Sequence, residues 1–196
     1  MLVLASASPR RRELLTQAGY QFEIHPAHIP EDPHPDEDPI AYVTRLARQK
    51  AEAIFSQLSP THPDLTVLGA DTTVTLDNHI LGKPENEEDA ARMLRLLSGR
   101  THRVITGVSL VYATGNGAEG APARAASTAA EVTAVQFLTL SEKEIHDYIA
   151  TGEPNDKAGA YAIQGRAARW IPRIEGCYFN VVGLPISLVA TLLQSL

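Results

Sequence analysis

Segments with helical periodicity alternate along this chain with runs of aliphatic and β-branched residues, and this alternation restricts the fold more than any other feature. Apolar residues recur at helical spacing over 10–18 and 39–58, whereas residues 65–76 form a run typical of a buried strand. Interleaved elements with hairpin signals predict a mixed α/β domain rather than a purely wound βαβ sheet. The same patterns predict further strands at 2–5, 20–25, 80–81, 101–112, 129–138, 158–163 and 170–174, and further helices at 85–97, 141–150 and 184–196.

One domain over residues 1–196 is expected, because this length suits a single domain and the chain has no internal repeat, low-complexity tract or linker. Residues 26–39 combine five prolines, five carboxylates and two histidines, which predicts a loop. Ser141 and Glu144 have the spacing of a capping box, so they predict the start of a helix.

The composition excludes several classes of protein. The single cysteine, Cys177, rules out an internal disulfide framework and a multi-cysteine zinc site, and it favours a cytoplasmic location. No stretch approaches the roughly 18 consecutive apolar residues of a membrane span, and residues 1–5 are too short and uncharged to begin a signal peptide. The 17 basic and 23 acidic residues leave a net charge of −6, which argues against a nucleic-acid partner.

Three successive arginines, Arg10, Arg11 and Arg12, stand at a predicted helix start, after Ser8 as the cap and Pro9 as the first helical residue. Guanidinium groups beside unpaired backbone N–H groups form a site for a polyanion such as a phosphate. Successive helical residues point about 100° apart, so at most two arginines can face one ligand. A solvated helix face is the alternative interpretation.

Asp71 is an acid within an apolar run, and an unpaired carboxylate is costly to bury there. A strand end or a satisfied surface carboxylate would also explain it. The turn Gly82-Lys83-Pro84 follows soon after, and a hairpin could bring Lys83 back beside Asp71. An acid among lysines and arginines suits metal-assisted phosphate chemistry.

Small residues and glycines surround Lys157, Tyr161 and Gln164, which allows a ligand to approach the backbone closely. Gln164 carries both a donor and an acceptor, so it could read the edge of a base, or it could bond to backbone groups instead. The turn over residues 98–103 adds two arginines and a histidine. A basic helix end explains these residues as well as a functional site does.

Two other patterns do not support the sites that they imitate. Residues 115–120 match G-x-G-x-x-G, but Pro122 and a β-rich segment follow where a dinucleotide site needs a helix, so we predict a hairpin loop. The histidines at 25, 28 and 34 lie in the proline-rich loop without the spacing of a zinc site. The chain also lacks the P-loop, zincin and serine-hydrolase motifs.

Seven segments, in order over nearly the whole chain, resemble the Maf family of nucleoside triphosphate pyrophosphatases, in the form typical of its dTTP/UTP subgroup. The segments are Ala5-Ser-Ala-Ser-Pro-Arg-Arg11, Tyr42-Val-Thr-Arg-Leu-Ala-Arg-Gln-Lys-Ala51, Gly69-Ala-Asp-Thr72, Leu81-Gly-Lys-Pro84, Ser98-Gly-Arg-Thr-His102, Lys157-Ala-Gly-Ala-Tyr-Ala-Ile-Gln-Gly165 and Ile174-Glu-Gly-Cys-Tyr-Phe-Asn-Val-Val-Gly-Leu-Pro185.

The resemblance implies a hydrolase that cleaves dTTP and UTP between the α and β phosphates, with modified pyrimidine triphosphates as further candidates. The products are a monophosphate and pyrophosphate, and the expected cofactor is a divalent cation, Mg²⁺ or Mn²⁺. The resemblance also implies a mixed α/β fold with two lobes around a central cleft, similar to inosine triphosphate pyrophosphatase and Ham1-like proteins. A homodimer is left open.

By position in the motifs, Asp71 is similar to the family's general base, and whether it deprotonates water or chiefly holds the metal is open. With Asp71, Glu31 is the other candidate metal ligand, because Pro30 stands where the family usually has Asp. The remaining implied positions contact substrate: Arg10, Thr72 and Gln164 select it, and Arg11, Lys50 and Lys83 bind its phosphates.

Two other functions fit some of these residues. A regulatory module that binds phosphate without catalysis would use the arginines but would not need Asp71 beside Lys83. A nucleic-acid binder would also use the arginine run, although the net charge and the lack of interleaved aromatic residues count against it.

Overall fold

The computed structural model describes residues 1–77, 79–116 and 122–196. The fold is mixed α/β, as predicted. The α-helices in the described residues are α1 (Pro9–Gln17), α2 (Pro39–Leu58), α3 (Glu87–Leu97), α4 (Glu142–Ile149), α5 (Tyr178–Val182) and α6 (Ile186–Gln194). Short 3₁₀ turns occupy Glu153–Asp156, Ala158–Ala160 and Arg166–Trp170.

Across the described part of the chain, the strands form a seven-stranded mixed sheet in the order β2-β1-β3-β5-β6-β7, with β4 paired to β3. Strand β1 is parallel to both β2 and β3, whereas the β3–β4 and β6–β7 pairs are antiparallel. The strands are β1 (Leu2–Leu4), β2 (Glu23–Ile24), β3 (Thr66–Leu76), β4 (His79–Leu81), β5 (Thr101–Asn116), β6 (Pro122–Gln136) and β7 (Arg173–Glu175).

The chain divides into two compact units, in agreement with the two-lobed prediction. The first consists of Met1–Asp71, Thr106–Glu131 and Gly183–Leu196, and the second of Thr72–Ile105 and Val132–Val182. The boundary between residues 71 and 72 falls within β3, so Asp71 belongs to the first unit and Thr72 to the second.

The first unit buries the apolar face of α2 against strands β1, β3 and β5. Val3, Val67 and Val111 from the strands pack with Ile54 and Phe55 from the helix. Helix α2 begins after Asp38, whose carboxylate accepts hydrogen bonds from the backbone N–H groups of residues 40 and 41. This cap satisfies N–H groups that have no partner within the helix.

The core of the second unit is rich in aromatic residues. Phe137 lies edge-on to Tyr161 with ring centroids 4.8 Å apart, and Tyr148 lies edge-on to Trp170 at 5.0 Å. Helices α3 and α4 pack on this cluster through their apolar faces. Helix α4 begins with the predicted capping box, in which the Ser141 hydroxyl and the Glu144 carboxylate each bond the other residue's backbone N–H.

The prediction of a strand at 158–163 is wrong. Residues Ala158–Ala160 form a 3₁₀ turn, in which Gly159 and Ala160 have φ angles of +68° and +60°. A side chain at position 159 would also contact Val74 at about 3 Å, so the segment needs glycine there. The apolar residues of this segment are therefore buried or half-buried by a packed turn, and they do not alternate between two faces as they would in a strand.

Other element boundaries differ from the predictions. The strand predicted at 20–25 is reduced to Glu23–Ile24, and the strand predicted at 170–174 forms only at Arg173–Glu175, after a 3₁₀ turn. The C-terminal helix begins at Ile186, and the short helix Tyr178–Val182 was not predicted. Gly183, with a φ of +125°, separates these two helices, because most other residues avoid that conformation.

One prediction falls on residues outside those described, namely the hairpin loop over 115–120, of which residues 117–120 are not described. Within the described residues, no helix is both long and apolar enough to cross a membrane.

Candidate active site

Asp71 lies in β3 and is buried, with an ion pair that satisfies its charge. The Nζ atom of Lys50, on α2, donates to Oδ1 of Asp71 at a distance of 2.7 Å. The side chains of Lys50 and Asp71 are only 9% and 11% exposed. A buried pair of this kind compensates two charges that would each be costly to bury alone. The alternative of a surface carboxylate is therefore wrong.

The short distance between Lys50 and Asp71 depends on the close packing of α2 against β3. A Cβ atom at Gly69 would lie 2.0 Å from the carbonyl oxygen of Ala47, so only glycine permits this approach of the two backbones. Asp71 is two residues beyond Gly69, on the same face of the strand, and Lys50 is one helical turn beyond Ala47. The ammonium group of Lys50 and the carboxylate of Asp71 therefore meet next to the close contact between Gly69 and Ala47.

Lys50 also contacts the second predicted acid. Its Nζ atom lies 2.6 Å from Oε1 of Glu31, in the proline-rich loop, and the Glu31 side chain is 47% exposed. One ammonium group thus joins a buried carboxylate to a carboxylate near solvent. The structure brings together Glu31, Lys50 and Asp71, which the sequence places 19 and 21 positions apart.

The loop that carries Glu31 is fastened to α2 by residues to which the sequence analysis assigned no role. The hydroxyl group of Tyr42 donates to the backbone carbonyl of Glu31 at 2.8 Å. Arg45 makes two hydrogen bonds of 2.6 Å with the carboxylate of Glu37 and donates to the carbonyl of Asp32 at 3.2 Å. The spacing of Tyr42, Arg45 and Lys50 on one face of the predicted helix could have indicated a common task.

Hydrogen bonding shifts the pKa of Glu37 in this loop, and burial shifts the pKa of Tyr42 on α2. The hydrogen bonds from Arg45 lower the pKa of Glu37 to about 2, because they favour the ionised carboxylate. Desolvation, followed by the charges of Asp71 and Glu31, raises the pKa of Tyr42 to about 12. Tyr42 therefore keeps its proton at neutral pH and remains a hydrogen-bond donor to the loop.

The donor set of Asp71 and Glu31 fits a hard divalent cation. Mg²⁺ is commonly bound through one or two carboxylates together with substrate phosphates and water, rather than by a cage of protein ligands. In residues 1–77, 79–116 and 122–196 no group of three or more His, Cys, Asp or Glu side chains is arranged to hold a metal. Two carboxylates beside one ammonium group therefore match a metal site in which substrate phosphates supply the remaining ligands.

Arg11 points inward and binds backbone carbonyl groups of the first unit. Its Nε atom donates to the carbonyl of Gly183 at 2.8 Å, and one terminal nitrogen donates to the carbonyl of Ala70 at 2.9 Å and to the Ser6 hydroxyl at 3.2 Å. Desolvation is the largest cause of the lowered pKa of Arg11, and Asp71 opposes it. Arg11 thus fastens α1 to the residue that precedes Asp71.

Successive helical residues point about 100° apart, so Arg10 and Arg12 leave the helix in directions different from that of Arg11. Arg10 is half-buried and Arg12 is exposed. Pro9 begins α1 after Ser8, as predicted, although the Ser8 side chain makes no capping hydrogen bond.

The second unit holds Thr72, Lys83 and Gln164. Thr72 is half-buried in β3, whereas Lys83 and Gln164 are exposed in turns. The β3–β4 hairpin is present, and its last pair, Val74 with Leu81, directs the following Gly82 and Lys83 back toward the level of Thr72. The backbone N–H of Gly159 donates to the carbonyl of Gly82 at 3.0 Å, so the turn that carries Lys83 is linked to the 3₁₀ turn Ala158–Ala160, which precedes Gln164 in the chain.

His102 is part of the core of the second unit. Its Nε2 atom lies 2.7 Å from the Tyr161 hydroxyl, and its ring lies edge-on to Phe137 at 5.0 Å. Desolvation lowers the pKa of His102 to about 3, so the ring is neutral at physiological pH. This histidine is not part of a basic helix end, and it packs beneath the segment that leads to Gln164.

Comparison with known proteins gives one consistent result. The model of the family described as "Maf: Maf-like protein" matches residues 1–196. A protein of Koribacter versatilis named dTTP/UTP pyrophosphatase is 51% identical over 193 residues, which cover 98% of this chain and 93% of that protein. A protein of Geobacillus sp. with the same name is 50% identical over 186 residues, which cover 95% of this chain and 92% of that protein.

A third relative has the same name. It comes from Moorella thermoacetica and is 52% identical over 192 residues, which cover 98% of this chain and 93% of that protein. Among solved structures, the Staphylococcus aureus Ham1 protein aligns over 99% of this chain and 98% of that chain, with a TM-score of 0.47 and 9% identity. The family assignment therefore rests on the family model and the sequence relatives.

Proposed function

Because this chain belongs to the Maf-like protein family, we propose that it hydrolyses dTTP and UTP to the nucleoside monophosphate and pyrophosphate. The observation that carries this proposal is about 50% identity, over nearly the full length of both chains, to proteins named dTTP/UTP pyrophosphatase. The substrate is accordingly a small-molecule nucleotide.

The charges around Asp71 suit cleavage of the bond between the α and β phosphates. A water molecule that attacks the α phosphate must lose a proton close to a polyanion, so the base needs cations nearby. We assign the proton acceptor to the Asp71 carboxylate, and Lys50 holds that carboxylate in place. Positive charge for the phosphates comes from Lys50, Lys83, Arg10 and Arg11, and it stabilises the negative charge that develops on the leaving pyrophosphate.

Asp71 and Glu31 are the residues that would hold Mg²⁺ or Mn²⁺ together with the substrate phosphates. When bound, the cation would neutralise phosphate charge and polarise the phosphorus–oxygen bonds. The contact of both carboxylates with one ammonium group supports this assignment, because it places two acidic groups within reach of the same small volume.

Base selection is assigned to Gln164, with Thr72 and Arg10. Uracil and thymine present a carbonyl next to an N–H group, and a glutamine amide can donate to the first and accept from the second. Cytosine offers an amino group and a bare nitrogen at those positions, which leaves polar groups unpaired. Modified pyrimidine triphosphates that keep this edge are further candidate substrates.

We also propose a cytoplasmic location, for which the single cysteine is the sequence argument, and no nucleic-acid partner, for which the net charge of −6 is the argument. Light scattering of the purified protein would decide whether the enzyme is a homodimer. A salt-dependent titration with DNA and RNA would test the absence of a nucleic-acid partner.

The decisive experiment is a panel of triphosphates incubated with the protein and Mg²⁺ or Mn²⁺, followed by assay of monophosphate and pyrophosphate. We expect dTTP and UTP to be hydrolysed ahead of CTP, ATP and GTP. A preference for a purine triphosphate such as 7-methyl-GTP would contradict the proposed substrate class. Binding of triphosphates without hydrolysis would instead support the regulatory module.

A further inference from the structure

Gln164 lies in a tight turn of the second unit. The backbone N–H of Gly165 donates to the carbonyl of Ala162 at 3.0 Å, which closes a four-residue turn with Ile163 and Gln164 at its two central positions. The Gln164 side chain is exposed. A side chain at the tip of a turn reads a ligand precisely only where the two ends of the turn are held.

Both ends of this turn are held by the same pair of side chains. The hydroxyl group of Tyr148 accepts a hydrogen bond from the N–H of Ala162 at 3.1 Å, at the start of the turn. At the other end, the carboxylate of Glu153 accepts from the N–H of Arg166 through both oxygens, at 3.1 and 3.2 Å. The Tyr148 hydroxyl donates to Glu153 at 2.7 Å and thereby joins the two anchors.

The surroundings keep this pair in place. Tyr148 is 1% exposed and packs edge-on against Trp170, so its ring has little freedom. Glu153 is half-buried, and its backbone N–H donates to the Thr151 hydroxyl at 3.2 Å. A Cβ atom at Gly165 would lie 2.1 Å from the Glu153 carboxylate, so glycine at this position leaves room for the anchor.

We infer that Tyr148 and Glu153 are positioning residues for base selection, because their hydrogen bonds hold the turn over residues 162–165 and thereby orient Gln164. This inference rests on the proposed function, in which Gln164 reads the pyrimidine edge. A turn that moves carries the Gln164 amide away from the base edge, so discrimination between uracil and cytosine needs a fixed turn.

Three substitutions separate this role from general stability. Tyr148→Phe removes only the hydroxyl group and keeps the ring contact with Trp170. Glu153→Gln keeps the shape of the anchor but loses its charge and one acceptor oxygen. Gly165→Ala displaces the anchor from the opposite side, and its backbone φ of −103° accepts alanine. The matched control is Glu142→Gln on α4, which removes an exposed ion pair with Arg95.

The measurement is kcat/KM for dTTP, UTP and CTP, together with the thermal midpoint of each variant. We expect the ratio of dTTP to CTP to fall about threefold to tenfold in each of the three variants, the size that one or two lost hydrogen bonds produce. The Glu142→Gln control should keep the wild-type ratio. A purely structural defect would lower the values for all triphosphates together and leave the ratio unchanged.

Hydrogen exchange gives a readout that does not depend on activity. The amide protons of Ala162 and Arg166 should exchange faster in Tyr148→Phe and Glu153→Gln than in the wild type, with no change in Glu142→Gln. The positioning role is refuted if the wild type prefers dTTP and UTP while all three variants keep the wild-type ratio of dTTP to CTP. It is also refuted if the amide protons of Ala162 and Arg166 exchange at the wild-type rate in the variants. Either result leaves the proposed function intact. If the wild type hydrolyses no triphosphate, the proposed function fails and the role in selectivity fails with it.

Discussion

The Nζ atom of Lys50 lies 2.7 Å from Oδ1 of Asp71, although 21 positions separate the two residues in the sequence. The pair is nearly buried, and Glu31 contacts the same ammonium group from the exposed side. A carboxylate held in this way has a defined orientation before substrate arrives, which reduces the entropy that the reaction must lose.

We expect Asp71→Asn to lower kcat for dTTP by at least about a hundredfold, because asparagine keeps the shape of the side chain but cannot accept a proton. Binding of the nucleotide should persist. The assay is pyrophosphate release under saturating dTTP. Asp77→Asn is the matched control, since Asp77 follows the same strand and makes an exposed ion pair with Arg100. Near-normal kcat in a folded Asp71→Asn variant would refute the role of Asp71.

Replacement of Lys50 should destabilise the protein. Lys50→Met leaves the buried Asp71 carboxylate without its partner, which we expect to cost about 3 kcal/mol in the free energy of unfolding. The double variant with Asp71→Asn should recover part of this loss, as urea unfolding would measure. Lys143→Met removes an exposed pair with Asp147 and should change stability by less than about 1 kcal/mol. Additive effects of the two substitutions would show that the pair is not coupled.

Glu31→Gln should raise the concentration of Mg²⁺ or Mn²⁺ needed for half-maximal activity by about tenfold, because it removes one of two carboxylate ligands. The measurement is a metal titration at fixed dTTP. Asp36→Asn changes an exposed acid of the same loop, at a φ of +56° that asparagine tolerates, and should leave the titration unchanged. Equal metal dependence in the wild type and Glu31→Gln would remove Glu31 from the metal site.

Gln164→Ala should lower kcat/KM for dTTP and UTP and narrow their advantage over CTP, since unpaired polar groups cost about 1–3 kcal/mol each. Lys83→Ala provides the contrast, because loss of a phosphate contact should weaken the use of all triphosphates by a similar factor. Gln136→Ala, at the exposed end of β6, is the control for loss of a surface glutamine. If Gln164→Ala affected every triphosphate equally, base reading would belong to other groups.

His102 should make stability depend on pH. Burial lowers its pKa from 6.5 to about 3, so between these values the unfolded chain binds a proton that the folded protein does not. Stability is therefore complete above the unfolded pKa and falls as the pH falls, with a slope that approaches about 1.4 kcal/mol per pH unit. Urea unfolding of His102→Gln should show a shallower slope than the wild type. Equal slopes in the wild type and His102→Gln would contradict this.

Much of the local structure could be predicted from the sequence. The helix over 39–58 has the bounds that its periodicity indicated, and the Ser141–Glu144 capping box is present. Such features depend on residues within one or two turns of each other, so the sequence pattern contains nearly all of their energetics. The segment 158–163 was mispredicted because its backbone follows a glycine at positive φ and a tight contact with Val74, and neither leaves a periodic signal.

The sequence by itself determined the family, the order of the elements and the identity of the charged and polar residues expected to meet a triphosphate. Only the tertiary structure decided which of them meet: Lys50 joins Asp71 to Glu31, Arg11 binds the carbonyl of Ala70, and Tyr148 with Glu153 holds the turn of Gln164. Some of these contacts depend on the space beside a glycine. Gly69 leaves room for the backbone of Ala47 and Gly165 leaves room for the carboxylate of Glu153, and the sequence pattern does not show which neighbour occupies that space.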